Sequence, residues 1–81
     1  MFHVYVISSL VRNYVYVGLS GDVMNRFRQH QEGRERTTFP YRPFKLIHQE
    51  VFLTRLEARK REKYLKSGVG KEWIKREILR N

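Results

Sequence analysis

At 81 residues the chain has room for one domain, and so short a chain buries a modest share of its surface unless its core is compact or an oligomer completes it. The absence of cysteine excludes a disulfide framework and thiolate chemistry, and the longest apolar run is far too short to cross a bilayer. Seventeen Lys and Arg against eight Asp and Glu leave a net charge of +9, a field that attracts polyanions, with nucleic acid the natural partner and an anionic membrane the weaker one.

The charge is uneven along the chain. Residues 1–24 are neutral, with one Arg and one Asp, while residues 55–81 carry ten basic and four acidic residues. The first eleven residues are strand-like rather than a signal peptide, so a cytoplasmic location is expected. Residues 2–7 and 14–19 alternate as strands joined by a short connection, which predicts a hairpin. A period of two places Tyr5 with Ile7 on one face of the first strand and Tyr14 with Tyr16 on one face of the second. Ser20 or Asp22 can cap a helix over about 22–32, along which Val23, Phe27 and His30 form one stripe with Arg26 beside it. Gly33 is a C-terminal stop, and residues 34–43, polar and charged with Pro40 and Pro43, form the long loop.

Residues 44–52 read as a third strand whose imperfect alternation leaves its register open. Thr54, with Glu57 three residues on, has the spacing of a capping box for a helix of about 55–66. Ser67-Gly68-Val69-Gly70 then reads as a break, and 71–80 as a basic last helix with Trp73, Ile74 and Ile78 as its apolar stripe. The expected fold is α+β: a small three-stranded antiparallel sheet flanked by helices, order β-β-α-β-α-α, in one domain over 1–81.

Few residues in this frame can carry chemistry. Glu62 interrupts the inward stripe from Ala58 to Leu65, where a carboxylate costs stability unless it is paired or bound to a cation. It can pair with Arg59, Lys63, Lys66 or Arg26, or hold Mg²⁺, which keeps waters and shares phosphate ligands. Arg26 matches phosphate geometry but can equally be a surface residue, and His30 can equally be a satisfied histidine at the edge of the core. Tyrosines such as Tyr5 and Tyr16 usually fill a core and hydrogen-bond at its rim. There is no zinc-ligand spacing, no phosphate-binding glycine loop and no serine nucleophile elbow.

Taken together, the motifs resemble the GIY-YIG nuclease superfamily, and most closely its small single-domain bacterial members. Val4-Tyr5-Val6 stands in the place of Gly-Ile-Tyr, and Tyr16-Val17-Gly18 in the place of Tyr-Ile-Gly. Arg26 matches the family's active-site arginine, His30 a position held by histidine or tyrosine, and Glu62 the metal-binding glutamate. Thr37 or Thr38 followed by Arg42-Pro43-Phe44, and Lys66 after Glu62, are similar to the pattern of the small members. The resemblance spans roughly residues 2–68. It departs in the missing glycine of the first motif, in Gln31 where asparagine often stands, and in the lack of a second domain.

The resemblance implies hydrolysis of DNA phosphodiester bonds, with RNA left open, by an endonuclease using Mg²⁺ or Mn²⁺ held by Glu62. It assigns Tyr16 to activating water, Tyr5 and His30 to tuning that proton or orienting the water, and Arg26 to the scissile phosphate. Arg34, Arg36, Arg42, Arg59, Lys63, Lys66 and Lys71 would then track the backbone, without reading sequence. Low sequence specificity with selection for DNA shape is the expectation, and roles from repair to element mobility all remain open, as does the oligomeric state. Two other readings keep the same charge: a non-catalytic nucleic-acid-binding module in which Glu62 and Arg26 pair with each other, and a domain whose basic helices bind an acidic protein.

Overall fold

The computed structural model describes residues 1–79. Strand β1 (Phe2–Ser9) pairs antiparallel with β2 (Val15–Ser20), helix α1 (Val23–Glu32) follows, and β3 (Phe44–Phe52) returns to the free side of β1. Helices α2 (Arg55–Lys66) and α3 (Gly68–Glu77) complete the chain. The sheet order is β2-β1-β3, so the fold is the expected three-stranded antiparallel sheet with three helices. No helix among the described residues is long and apolar enough to cross a membrane.

Local chemistry sets most boundaries. Ser9 closes the β1–β2 turn, its hydroxyl oxygen accepting from the amides of Val11 and Arg12 at 3.2 and 3.0 Å. Asp22 caps α1 by accepting from the Asn25 amide at 3.1 Å, and Ser20 braces that cap by accepting from the Asp22 amide at 2.9 Å. Gly33 ends α1 with φ of 82°, a left-handed conformation that glycine adopts without the steric cost of a Cβ. Thr54 caps α2, accepting from the Glu57 amide at 3.2 Å while its hydroxyl donates to the Glu57 carboxylate at 3.0 Å.

The central strand separates two apolar layers. Val4, Val6, Val15, Val17 and Leu19 face Ala58, Leu65, Trp73, Ile74 and Ile78 of the C-terminal helices. Tyr5, Ile7 and Tyr16 face Val23 and Phe27 of α1 together with Phe44. The sheet therefore lies between α1 on one side and the α2–α3 pair on the other. The imperfect alternation of β3 has a cause in this arrangement: Val6 pairs with His48 and Ile7 with Leu46, so Ile47 is an extra residue in a bulge. Across the bulge the alternation changes phase: Phe44 and Leu46 lie in the α1 layer and Phe52 in the α2–α3 layer.

The predicted extent of the break and of the last helix needs correction. The helix breaks at Ser67 as expected, but the break is short, because α3 already begins at Gly68 and ends at Glu77 rather than running from 71 to 80, a span whose last residue lies outside the described residues. Ser67 serves both helices: its hydroxyl donates to the Tyr64 carbonyl at 2.6 Å and accepts from the Gly70 amide at 3.2 Å. Gly70 lets the first turn of α3 lie against the end of α2, since a Cβ there would overlap the Tyr64 carbonyl oxygen and come within 2.5 Å of Leu65 Cα. The break holds at Ser67, and the glycines that follow belong to α3.

Candidate active site

The two-residue alternation of β1 and β2 turns Tyr5 and Tyr16 to the α1 side of the sheet. Tyr5 pairs across the hairpin with Gly18, and Tyr16 with Ile7. With no side chain at Gly18, the Tyr5 ring lies directly over that backbone: an added Cβ would overlap its Cζ and hydroxyl oxygen and fall 2.7 Å from Cε1. This laid-down ring brings its hydroxyl to α1, where it meets His30 Nε2 at 2.9 Å. The His30 ring is also 5.1 Å from that of Tyr16, centroid to centroid, and Tyr5 is 6.3 Å from Tyr16. His30 and Tyr5 are essentially inaccessible, whereas Tyr16 is half-buried. Of the two, Tyr16 is thus the phenol that solvent can reach.

Arg26, one turn before His30, faces the same hydroxyl. Burial and the neighbouring Tyr16 push the Tyr5 phenol well above its ordinary value, and the Arg26 guanidinium opposes that shift. Burial holds His30 below the ordinary imidazole value, and Arg26 adds to the effect, so the ring is neutral near neutral pH. Arg26 is anchored by Glu35 at 2.7 Å and by Gln29 at 2.9 Å. Hydrogen bonds from Arg26 and from the Thr37 amide hold the Glu35 carboxyl below the usual range. Burial alone would depress the arginine, but the bond to Glu35 and the contact with Tyr5 outweigh it. The pairing of Arg26 with Glu62, one element of the binding-module reading, is therefore not what the structure contains.

Glu62 comes from the other side of the sheet, on α2, with its side chain 12% exposed. Its partners are Lys66 at 3.0 Å and, more distantly, Arg59 at 3.9 Å. The Lys66 ammonium in turn lies 5.9 Å from the centre of the Tyr16 ring. Tyr5, Tyr16 and His30 thus contact one another with Arg26 beside them, and the contact recorded between Glu62 and this group runs through Lys66. Among the described residues no three or more His, Cys, Asp or Glu side chains gather as a metal cage. A single, nearly buried carboxylate fits Mg²⁺ or Mn²⁺, which keep waters and take phosphate oxygens, and does not fit a closed zinc site.

The basic residues lie around this centre in different states. Arg34 is exposed and pairs with Glu32 at 3.0 Å, and Arg42 stacks on the Phe39 ring at 4.1 Å. Arg59 and Lys66 are engaged with Glu62. Arg36, Lys63 and Lys71 are exposed and enter no salt bridge with the described residues.

Three features had no clear signal in the sequence. Glu35 anchors Arg26 from the loop, nine residues away. Gln31 clamps the start of β3, donating to the Phe44 carbonyl at 3.1 Å and accepting from the Phe44 amide at 2.7 Å. Arg61 ties α2 to β3 through two bonds to Glu50, at 2.9 and 3.1 Å, and Glu50 also meets His48 at 2.6 Å. Helical spacing marks none of these, because Arg26 and Glu35, Gln31 and Phe44, and Arg61 and Glu50 each lie in different parts of the chain, only His48 and Glu50 sharing β3. Of Thr37 and Thr38, both named by the motif pattern, Thr38 is the buried one, and it contacts His30.

The family model of the GIY-YIG catalytic domain matches residues 1–76. No curated protein and no solved structure matches the chain. The tyrosines of the two paired strands therefore fall inside a match that covers nearly the whole fold, and the chain belongs to the GIY-YIG family, a small member of a family of nuclease domains whose substrate is nucleic acid.

Proposed function

We propose that this domain is a divalent-metal-dependent endonuclease that hydrolyses DNA phosphodiester bonds with low sequence specificity, selecting its substrate by shape. The observation that carries the reading is the convergence of an accessible phenol, Tyr16, with the enclosed Tyr5–His30 pair and the anchored guanidinium of Arg26. Tyr16 positions and activates the attacking water. Tyr5 and His30, shielded from solvent, hold the hydrogen bonds that tune the neighbouring phenol. Arg26, kept in place by Glu35 and Gln29, is oriented to take a phosphate oxygen, where charge develops as the bond breaks.

Glu62 would hold Mg²⁺ or Mn²⁺, and such an ion stabilises the charge developing on the phosphate and the leaving oxygen. Lys66, bound to the same carboxylate, brings a second positive charge beside the Tyr16 ring. The exposed Arg36, Lys63 and Lys71 supply backbone contacts, which set register on the nucleic acid without reading bases.

The test is incubation with nicked, branched and supercoiled DNA, with and without Mg²⁺ or Mn²⁺, beside a Glu62→Ala variant. Metal-dependent cleavage that disappears in the variant is expected. Cleavage that persists unchanged in the variant removes the metal role from Glu62. A second reading, a non-catalytic nucleic-acid-binding module, draws on one observation: Glu62 is already neutralised by Lys66 and Arg59. Binding without cleavage across all substrates and metals is its signature.

A further inference from the structure

The sequence offers Thr37 and Thr38 without distinguishing them, and neither is needed by the chemistry assigned above. The structure buries Thr38 completely and sets its hydroxyl 2.9 Å from His30 Nδ1, while Tyr5 holds Nε2 at 2.9 Å. Both ring nitrogens are therefore engaged, away from water. A neutral imidazole has one donor and one acceptor nitrogen, so only two arrangements of the chain are possible. In one, Nδ1–H donates to Thr38 and Nε2 accepts from Tyr5. In the other, Thr38 donates to Nδ1 and Nε2–H donates to Tyr5.

The Thr38 end of the chain chooses between them. There the Glu35 carbonyl lies 3.4 Å from the hydroxyl, a group that only accepts. A hydroxyl that donates its one proton to that carbonyl accepts from Nδ1–H, which leaves Nε2 to accept from Tyr5. A chain that ends at a pure acceptor runs one way, each bond polarising the next. Glu35 closes the circuit, since its carboxylate anchors Arg26 at 2.7 Å while its carbonyl receives Thr38.

We infer that Thr38 is a positioning residue that fixes His30 as the Nδ1–H tautomer, so that the Tyr5 hydroxyl donates to His30 and turns its lone pairs toward Arg26. The inference deepens the nuclease reading, on which its catalytic consequence rests, but the tautomer itself does not depend on catalysis. Around the His30 ring the titratable and charged groups are Tyr5 and Tyr16 from the strands, Arg26 from α1 and Glu35 from the loop. Thr38 is the one non-titrating hydroxyl among these contacts, and it is the group that sets the direction. With Tyr5 held as donor to His30, its oxygen keeps its lone pairs free to accept on the side away from the imidazole.

Nitrogen-15 NMR of the imidazole side chains, above pH 7 on the intact protein, reads the tautomer directly. The expected spectrum assigns His30 a protonated Nδ1 and an unprotonated Nε2. The Thr38→Ser variant keeps this pattern, and Thr38→Val loses the preference by roughly tenfold, the effect of one hydrogen bond of ordinary strength. A protonated Nε2 in the wild-type protein overturns the inference, as does an unchanged tautomer in a folded Thr38→Val variant. Should Thr38→Val fail to fold, the wild-type spectrum still decides the tautomer, and Thr38→Ser decides whether the hydroxyl alone suffices. Absence of DNA cleavage with the expected spectrum refutes the nuclease reading and leaves the tautomer assignment standing. Where cleavage is present, Thr38→Val lowers it and Thr38→Ser restores it.

Discussion

Substituting Gly18 by alanine tests the geometry of the candidate site at its tightest point. The backbone there does not require glycine, because Gly33 is the one glycine with a positive φ among the described residues. Removing backbone freedom from the unfolded chain at such a position stabilises by about 0.4–1 kcal/mol. The added Cβ, however, would overlap the Tyr5 ring tip and hydroxyl. Overpacking of this kind costs about 1–3 kcal/mol. Displacing the ring also breaks its bond to His30, and an unpaired buried nitrogen costs a further ~1–3 kcal/mol. The net expectation is a loss of about 1–5.5 kcal/mol, a large share of the stability of a small domain. Urea unfolding of the wild type, Gly18→Ala, Tyr5→Leu and the double variant measures it. A leucine does not reach the space over residue 18, so in the Tyr5→Leu background Gly18→Ala becomes neutral or stabilising by up to ~1 kcal/mol. A Gly18→Ala cost that is the same in both backgrounds, or no cost in the wild type, refutes the claim that the ring explains the glycine.

Four further outcomes are expected. Gly70→Ala destabilises at least as much as Gly18→Ala and is not rescued by trimming a side chain, because the obstructing atoms are the backbone of Tyr64 and Leu65; chemical denaturation reads both effects. Stability falls on acidification in two stages. His30 is held below its ordinary 6.5, so the unfolded state takes up the proton first and stability drops as pH falls below about 6.5. Glu35 and Glu50 are held below their ordinary 4.5, so their contribution is present above that pH and is lost as pH falls through their folded values. For Glu50, burial acts in the opposite direction and is outweighed by Arg61 and His48. A thermal-melt series against pH checks the sign, and His30→Phe should remove the upper stage alone. Glu35→Gln weakens the anchor of Arg26 and lowers cleavage while the fold persists, as circular dichroism and the DNA cleavage assay together would show. Finally, Lys63→Ala and Lys71→Ala each reduce the slope of log binding constant against log salt for duplex DNA by about 0.9, whereas Arg34→Ala, whose charge Glu32 already engages, reduces it less.

Much of the architecture was legible because its causes are local. The Asp22 and Thr54 caps, the Gly33 stop and the two-residue alternation of the hairpin each act within a few residues, so a short window of sequence contains both partners of every interaction. That is why β3 and α2 fall at their expected bounds. The motif residues were legible one by one for the same reason, but their roles were not: Arg26 and Glu62 each had several possible partners at helical spacing.

The sequence alone determined the order of elements, the inward stripe containing Glu62, the face shared by Tyr5 and Ile7 and the basic C-terminal half. Tertiary structure decided what those residues meet. It paired Arg26 with Glu35 and Glu62 with Lys66, selected Thr38 over Thr37 for His30, and shortened the Ser-Gly-Val-Gly break to Ser67, with the helix start that follows pressed against α2. It also placed the β3 bulge at Ile47, across which the even-numbered side chains change layers, Leu46 to one side of the sheet and Phe52 to the other. The division has one physical reason. Caps and periodicity are short-range, whereas the partner of a buried charge or imidazole is whichever group the packed sheet, loop and helices bring within about 3 Å, where burial makes an unmet hydrogen bond costly.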